Sequence, residues 1–170
     1  MNHNLSQPFL YHGSPVADLK VLKPNPHNAV NKKAVVFATT DIRFALAMIH
    51  GTGEEIAVGY FFNKKTNEEQ MYIHELQPGK LKLLEAPGYI YQVNSEGFQA
   101  DPNLSHIEFF KESEAVVIKQ TTINNVLSEL LKYTNLSVVE HKNVPTAMQL
   151  MGRDISKPKK PHAPDRFKDI

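Results

Sequence analysis

The middle of this chain reads as one strand after another. Residues 56–62 are apolar and β-prone, Asn63-Lys64-Lys65-Thr66-Asn67 has the polarity of a hairpin loop, and residues 71–76 form a returning strand. Pro78-Gly79 turns the chain, and Leu81, Leu83 and Leu84 continue the β pattern. Residues 89–93 predict another short strand, closed by a turn at 94–97, and residues 107–110 and 115–119 predict two late ones. Such a succession leaves no room for strict βαβ alternation. It therefore argues for an α+β fold over a doubly wound parallel sheet.

Helical signals flank this block. Residues 34–38 (Ala-Val-Val-Phe-Ala) are continuously apolar, the pattern of a central strand. Thr39 or Thr40 can cap the helix that follows, since a threonine oxygen accepts an orphan amide N–H. Asp41 in its first turn suits the positive end of the helix dipole. Ile42, Ala45, Met48 and Ile49 give helical spacing, and Gly51 is a natural stop. Upstream, Phe9-Leu10-Tyr11-His12 predicts a buried first strand that Gly13-Ser14-Pro15 ends, and residues 24–33 read as a polar loop. Downstream, Thr122 is expected to start a second helix with Val126, Leu127, Leu130, Leu131 and Tyr133 on its apolar side, and residues 136–139 predict a final strand.

At 170 residues and 41% apolar, the chain has the size and composition of one domain, expected over residues 1–151. A net charge of +1 provides no global field to steer it to nucleic acid or membrane. The absence of cysteine excludes disulfides, thiolate metal sites and a cysteine nucleophile. No secretory leader is visible at the start, and no run approaches the ~20 apolar residues of a membrane span. A cytoplasmic protein is expected, with export by a route lacking a cleaved leader left open. Residues 152–170 are basic and proline-rich (Lys157-Pro158-Lys159-Lys160-Pro161) and are expected to form an extended tail. Its functional reading is a weak contact to phosphate or to an acidic partner.

Common catalytic signatures are missing. There is no P-loop, no Rossmann fingerprint, no His-Glu-x-x-His and no nucleophile elbow. Two features remain. Tyr11-His12-Gly13-Ser14 ends a buried strand, where a glycine lets a ligand approach the backbone and an imidazole can donate a hydrogen bond to a ribose hydroxyl. Glu108 stands among apolar neighbours in a predicted strand, where a carboxylate needs a partner or an edge. Glu112 and Glu114 are nearby rivals. A histidine beside a turn and an outward-facing glutamate are the plain structural alternatives.

In this order the two sites resemble the ADP-ribosyltransferase superfamily of the diphtheria-toxin and poly(ADP-ribose) polymerase type. Tyr11-His12-Gly13-Ser14 is similar to that group's first-strand motif, and residues 36–41 followed by a helix resemble its second block. Glu108 falls where a late-strand glutamate is expected. The resemblance covers residues 9–119 and implies a split β-sheet core with NAD as substrate. It implies that Tyr11, His12, Gly13, Ser14, Phe37, Thr39 and Met48 line the NAD site. His12 would orient a ribose, Gly13 would hold the nicotinamide amide, and Glu108 would bind the reacting ribose and stabilise an oxocarbenium-like transition state. ADP-ribose would pass to an acceptor macromolecule. Phe37 and Met48 stand where the family carries stacking tyrosines, so Tyr60, Tyr72, Tyr89 or Tyr91 would supply the aromatic face. Position 106 is His where an arginine-directed enzyme carries an acid or amide. A non-catalytic nucleotide- or protein-binding domain of the same fold is the alternative.

Overall fold

The computed structural model describes residues 7–51 and 53–152. In chain order the strands are β1 (Phe9–Ser14), β2 (Val21–Leu22), β3 (Asn25–Val30), β4 (Lys33–Thr39), β5 (Ile56–Asn63), β6 (Glu68–Glu75), β7 (Gly88–Asn94), β8 (Glu108–Lys111), β9 (Ala115–Ile123) and β10 (Leu136–Val139). The helices are α1 (Ile42–Ala47), α2 (Val126–Leu130) and α3 (Val144–Leu150), with 3₁₀ turns at Lys80–Glu85 and His141–Asn143. This is an α+β architecture dominated by strands.

The strands form two sheets. The larger has seven strands in the order β2-β9-β7-β1-β4-β3, with β8 also on β4. The smaller runs β10-β6-β5, with β10 parallel to β6 and β5 antiparallel to it. Alternation along the strands divides the core. Leu10, Val36, Ala38, Val93 and Phe109 face one cluster with Leu22, Phe98 and Ala115. On the other side of the large sheet, Ala45, Leu46 and Ile49 from the α1 region pack with Met71 and Ile73 of β6, Ile90 of β7, and Val126 and Leu130 of α2. That cluster joins the sheets, and each fully buried aliphatic in it contributes about 1.5–3 kcal/mol of transfer free energy.

The α1 helix lies directly on β1 and β7 because both present glycine there. A Cβ on Gly13 would collide with the Ala45 carbonyl and come 2.9 Å from Cγ1 of Ile49, and a Cβ on Gly88 would collide with Ile49 as well. Gly13 is thus required by helix packing, where the sequence suggested ligand approach.

Four local expectations are corrected. Residues 24–33 are not a loop: β3 and β4 form a hairpin whose two connecting residues, Asn31 and Lys32, have φ of 51° and 65°. This is the backbone of a two-residue primed turn, which the pair Asn-Lys signals far less clearly than Asn-Gly. Pro26 is tolerated because β3 is an edge strand with a register shift. Leu81 and Leu84 belong to a 3₁₀ turn, where a spacing of three brings Leu84 inward while Leu83 stays exposed. Thr122 does not start a helix. The β-branched run Thr121-Thr122-Ile123 extends β9, and α2 begins only after Asn125, whose side chain accepts the Ser128 N–H at 2.8 Å. The cap of α1 is Asp41, while Thr39 Oγ1 accepts the Asp41 N–H at 3.0 Å. α3, with Pro145 in its first turn, was not anticipated. The expected tail contact lies outside the described residues apart from Gly152. Among the described residues no helix is long and apolar enough to cross a membrane.

The packing of α1 sets a clear expectation. Gly13→Ala should lower unfolding free energy by about 1–3 kcal/mol in urea denaturation. An unchanged midpoint would mean that α1 does not press on β1 as described.

Candidate functional site

The site follows from how β1 and β4 meet. Along β1 all six residues pair with β7, but toward β4 the register is confined to Tyr11↔Thr39. On the far side of β4, Thr39 pairs with Glu108. Tyr11, Thr39 and Glu108 therefore form one row across three strands. Directly opposed residues share a face, so Phe37 and Phe110, paired in the same ladder, lie on that face too.

His12 is not in this row. By alternation it leaves β1 on the side of Leu10, opposite Tyr91 of β7. Its ring turns into the gap between β1 and β4, where Nδ1 lies 2.7 Å from the Phe37 carbonyl oxygen. A carbonyl only accepts, so Nδ1 carries the proton. Burial pushes the His12 pKa below its ordinary value, against a smaller upward pull from the Phe37 bond, so the ring is neutral near pH 7. In a neutral ring protonated at Nδ1, Nε2 is an acceptor. This reverses the polarity expected from sequence: the ring nitrogen left over is an acceptor, not a donor.

The Glu108 side chain is buried. Its Oε2 accepts from Ser105 Oγ at 3.0 Å and from Ser105 N at 3.3 Å, while its own N–H donates to the Ser105 carbonyl. Ser105 thus orients the carboxylate. A shallow cavity of about 430 Å³ opens beside it, lined by residues 100–102 and 104–106. The remaining expected residues have packing or capping roles. Tyr11 packs on the inter-sheet core and edge-on against Phe9 at 5.7 Å. Ser14 Oγ accepts the Val16 N–H at the turn after β1. Phe37 packs with Val30, Val35, Leu104 and Phe110. Met48 is the half-buried C-cap of α1.

Beside the row stands a polar cluster that sequence reading missed. Asp41 Oδ1 accepts from Arg43 N and Nε, both at 2.9 Å, and Oδ2 accepts from Arg43 Nη2 at 2.6 Å and from the Tyr60 hydroxyl at 2.9 Å. Arg43 Nη1 donates to the Asn135 carbonyl at 2.6 Å. Tyr60 stacks on Phe44 at 6.3 Å and meets His106 edge-on at 5.7 Å, and His106 Nε2 lies 2.9 Å from Glu69. Burial pushes the Asp41 carboxyl up, but the bonds and charge of Arg43, with Tyr60, outweigh it and hold the group below its usual range. Burial first, then Asp41, pushes the Tyr60 hydroxyl well up, so it remains a donor.

The structure also separates the four tyrosines offered as stacking faces. Tyr91 is fully buried with its hydroxyl donating to the Val16 carbonyl at 2.6 Å, and Tyr72 is buried against His74. Tyr60 and Tyr89 keep partial exposure. Among the described residues no group of three or more His, Asp or Glu could hold a metal ion. Comparison with family models, with curated proteins and with solved structures gives no match.

Two acid-sensitive contributions follow. Asp41 has a depressed folded pKa, so its stabilisation is present above the unfolded value of about 3.9 and is lost as pH falls through the folded value. His12 is also depressed, so the unfolded chain binds its proton first, and stability declines as pH drops below about 6.5. Asp41→Asn should flatten the low-pH part of a stability profile, and His12→Gln the part just below neutrality. At pH 7, Asp41→Ala should cost about 2–3 kcal/mol in urea denaturation, since it removes a helix cap and leaves Arg43 unpaired. A loss below about 0.5 kcal/mol would contradict the cluster's structural role.

Proposed function

We propose that this chain binds NAD at the separation of β1 and β4 and acts as an ADP-ribosyltransferase-like enzyme. The observation that carries this reading is the row Tyr11–Thr39–Glu108 beside a β1 that pairs with β4 at a single position. A split next to a Tyr-His-Gly-Ser strand, with a buried carboxylate two strands away, is what the resemblance of the motifs leads one to look for.

In this reading the His12 Nε2 accepts a ribose hydroxyl of NAD, held in place by the Nδ1 bond to Phe37. The Gly13 backbone meets the nicotinamide amide. Glu108, oriented by Ser105, accepts from the 2′-hydroxyl of the reacting ribose. The bond between the anomeric carbon and the nicotinamide nitrogen breaks, and its electron pair leaves with neutral nicotinamide. Positive charge develops on the ribose, and a fixed carboxylate lowers the energy of that state. A nucleophile of an acceptor macromolecule then bonds to the anomeric carbon and gives up its proton. Tyr60 and Tyr89 are the two aromatic faces with exposure left for a cationic ring.

A second reading has its own support. Phe37 is engaged in a side-chain cluster, Met48 caps α1, and the Cβ side of Gly13 is filled by that helix. These features suit a non-catalytic domain that binds a nucleotide or a protein. Titration calorimetry with NAD, with nicotinamide release followed in the same sample, separates the two. The transferase reading expects binding with release, and expects Glu108→Gln to retain binding while release falls by at least a hundredfold. Binding without release from the unaltered protein would support the second reading, and no binding would remove NAD from both.

A further inference from the structure

The small sheet ends in an open strand. β5 pairs with β6 along its whole length and with no other strand among the described residues. Eight residues long, free of proline and carrying an exposed Phe62, it lacks the usual protections of a sheet edge. Its hydrogen-bond phase can be read from its two ends. Leu76 N–H donates to the Glu55 carbonyl and Asn67 N–H to the Asn63 carbonyl, so the odd-numbered residues bond inward to β6. Antiparallel ladders alternate, so the N–H and C=O groups of Ile56, Val58, Tyr60 and Phe62 point outward.

We infer that this edge pairs with β5 of a second copy of the chain, antiparallel and about a two-fold axis at Gly59. Symmetry requires that partners in such a pair have the same phase. An axis at Gly59 meets this by pairing Ile56 with Phe62 and Val58 with Tyr60, all from the outward set. It also pairs Ala57 with Phe61, so the contact is apolar on both faces. Gly59 meets Gly59 at a pair without hydrogen bonds, the position of closest backbone approach.

Charge selects the same register. The strand is flanked by Glu54-Glu55 before it and Lys64-Lys65 after it. Antiparallel pairing about Gly59 sets Glu54 of each copy against Lys64 of the other. Neither of those side chains has an ion-pair partner among the described residues, whereas Glu55 is already bound to Lys80 at 2.9 Å. An axis one residue on, at Tyr60, would oppose Ile56 to Lys64 and ask Glu55 to leave Lys80. The edge is therefore complementary to itself in backbone phase, apolar pairing and sign of charge, as an isologous contact must be. This inference is independent of any ligand at the β1–β4 separation.

The test is sedimentation of the full chain over a concentration series, with three variants. The unaltered protein should show a monomer–dimer equilibrium. Lys64→Glu opposes like charges twice per dimer and should weaken association by about tenfold. Glu54→Lys should do the same, and the double exchange E54K/K64E should restore association. Both positions changed are exposed, and circular dichroism should be the same for every variant. A monomer at every concentration would overturn the proposal. So would a dimer insensitive to the single exchanges, or one that the double exchange fails to restore.

Discussion

The Asp41 carboxylate is the contact on which the rest of the structure depends. It follows β4 directly, caps α1 by accepting the Arg43 N–H, and receives the Tyr60 hydroxyl from β5. Through Arg43 it also reaches the Asn135 carbonyl at the start of β10. One side chain thus ties the end of the large sheet, the helix between the sheets and two strands of the small sheet. Arg43 and Asp41 are both largely shielded, so the pair stabilises by satisfying buried groups and not by surface Coulomb attraction.

Much of the strand order was legible, because each strand has its own apolar run and its own turn. The 63–67 loop, the 94–97 turn and the final strand at 136–139 stand close to where their residues suggested. What failed did so for local reasons. Asn31-Lys32 forms a tight turn without glycine, and Leu81 to Leu84 can be read with a period of two or three. Asp41 was read as a partner of the helix dipole, and only its geometry reveals a cap. The cluster around it was not legible at all. Tyr60 is 19 residues from Asp41 and Asn135 is 92 from Arg43, and no local spacing encodes contacts of that range.

For the site, sequence named the residues of the row and the structure supplied their relation. Tyr11, Thr39 and Glu108 were each singled out, but that they lie across three adjacent strands depends on β8 returning to β4. The role of His12 shows the limit of reasoning from residue type. An imidazole offers a donor or an acceptor, and the Phe37 carbonyl decides which remains for a ligand. His12 and Glu108 belong to different parts of the sheet, joined through β4.

The parallel pairing of β10 with β6 has a consequence for how the chain is made. β6 ends at Glu75 and β10 begins at Leu136, so three strands of the large sheet (β7, β8 and β9) and α2 are synthesised in between. Until residue 139 has left the ribosome, β6 lacks a neighbour on one side and Arg43 lacks the Asn135 carbonyl. Parallel, distant pairings of this kind are slow to form. Residues 9–119 by themselves therefore leave one side of β6 unpaired and Arg43 without the Asn135 carbonyl. The motif-free residues after them act as the latch that closes the small sheet.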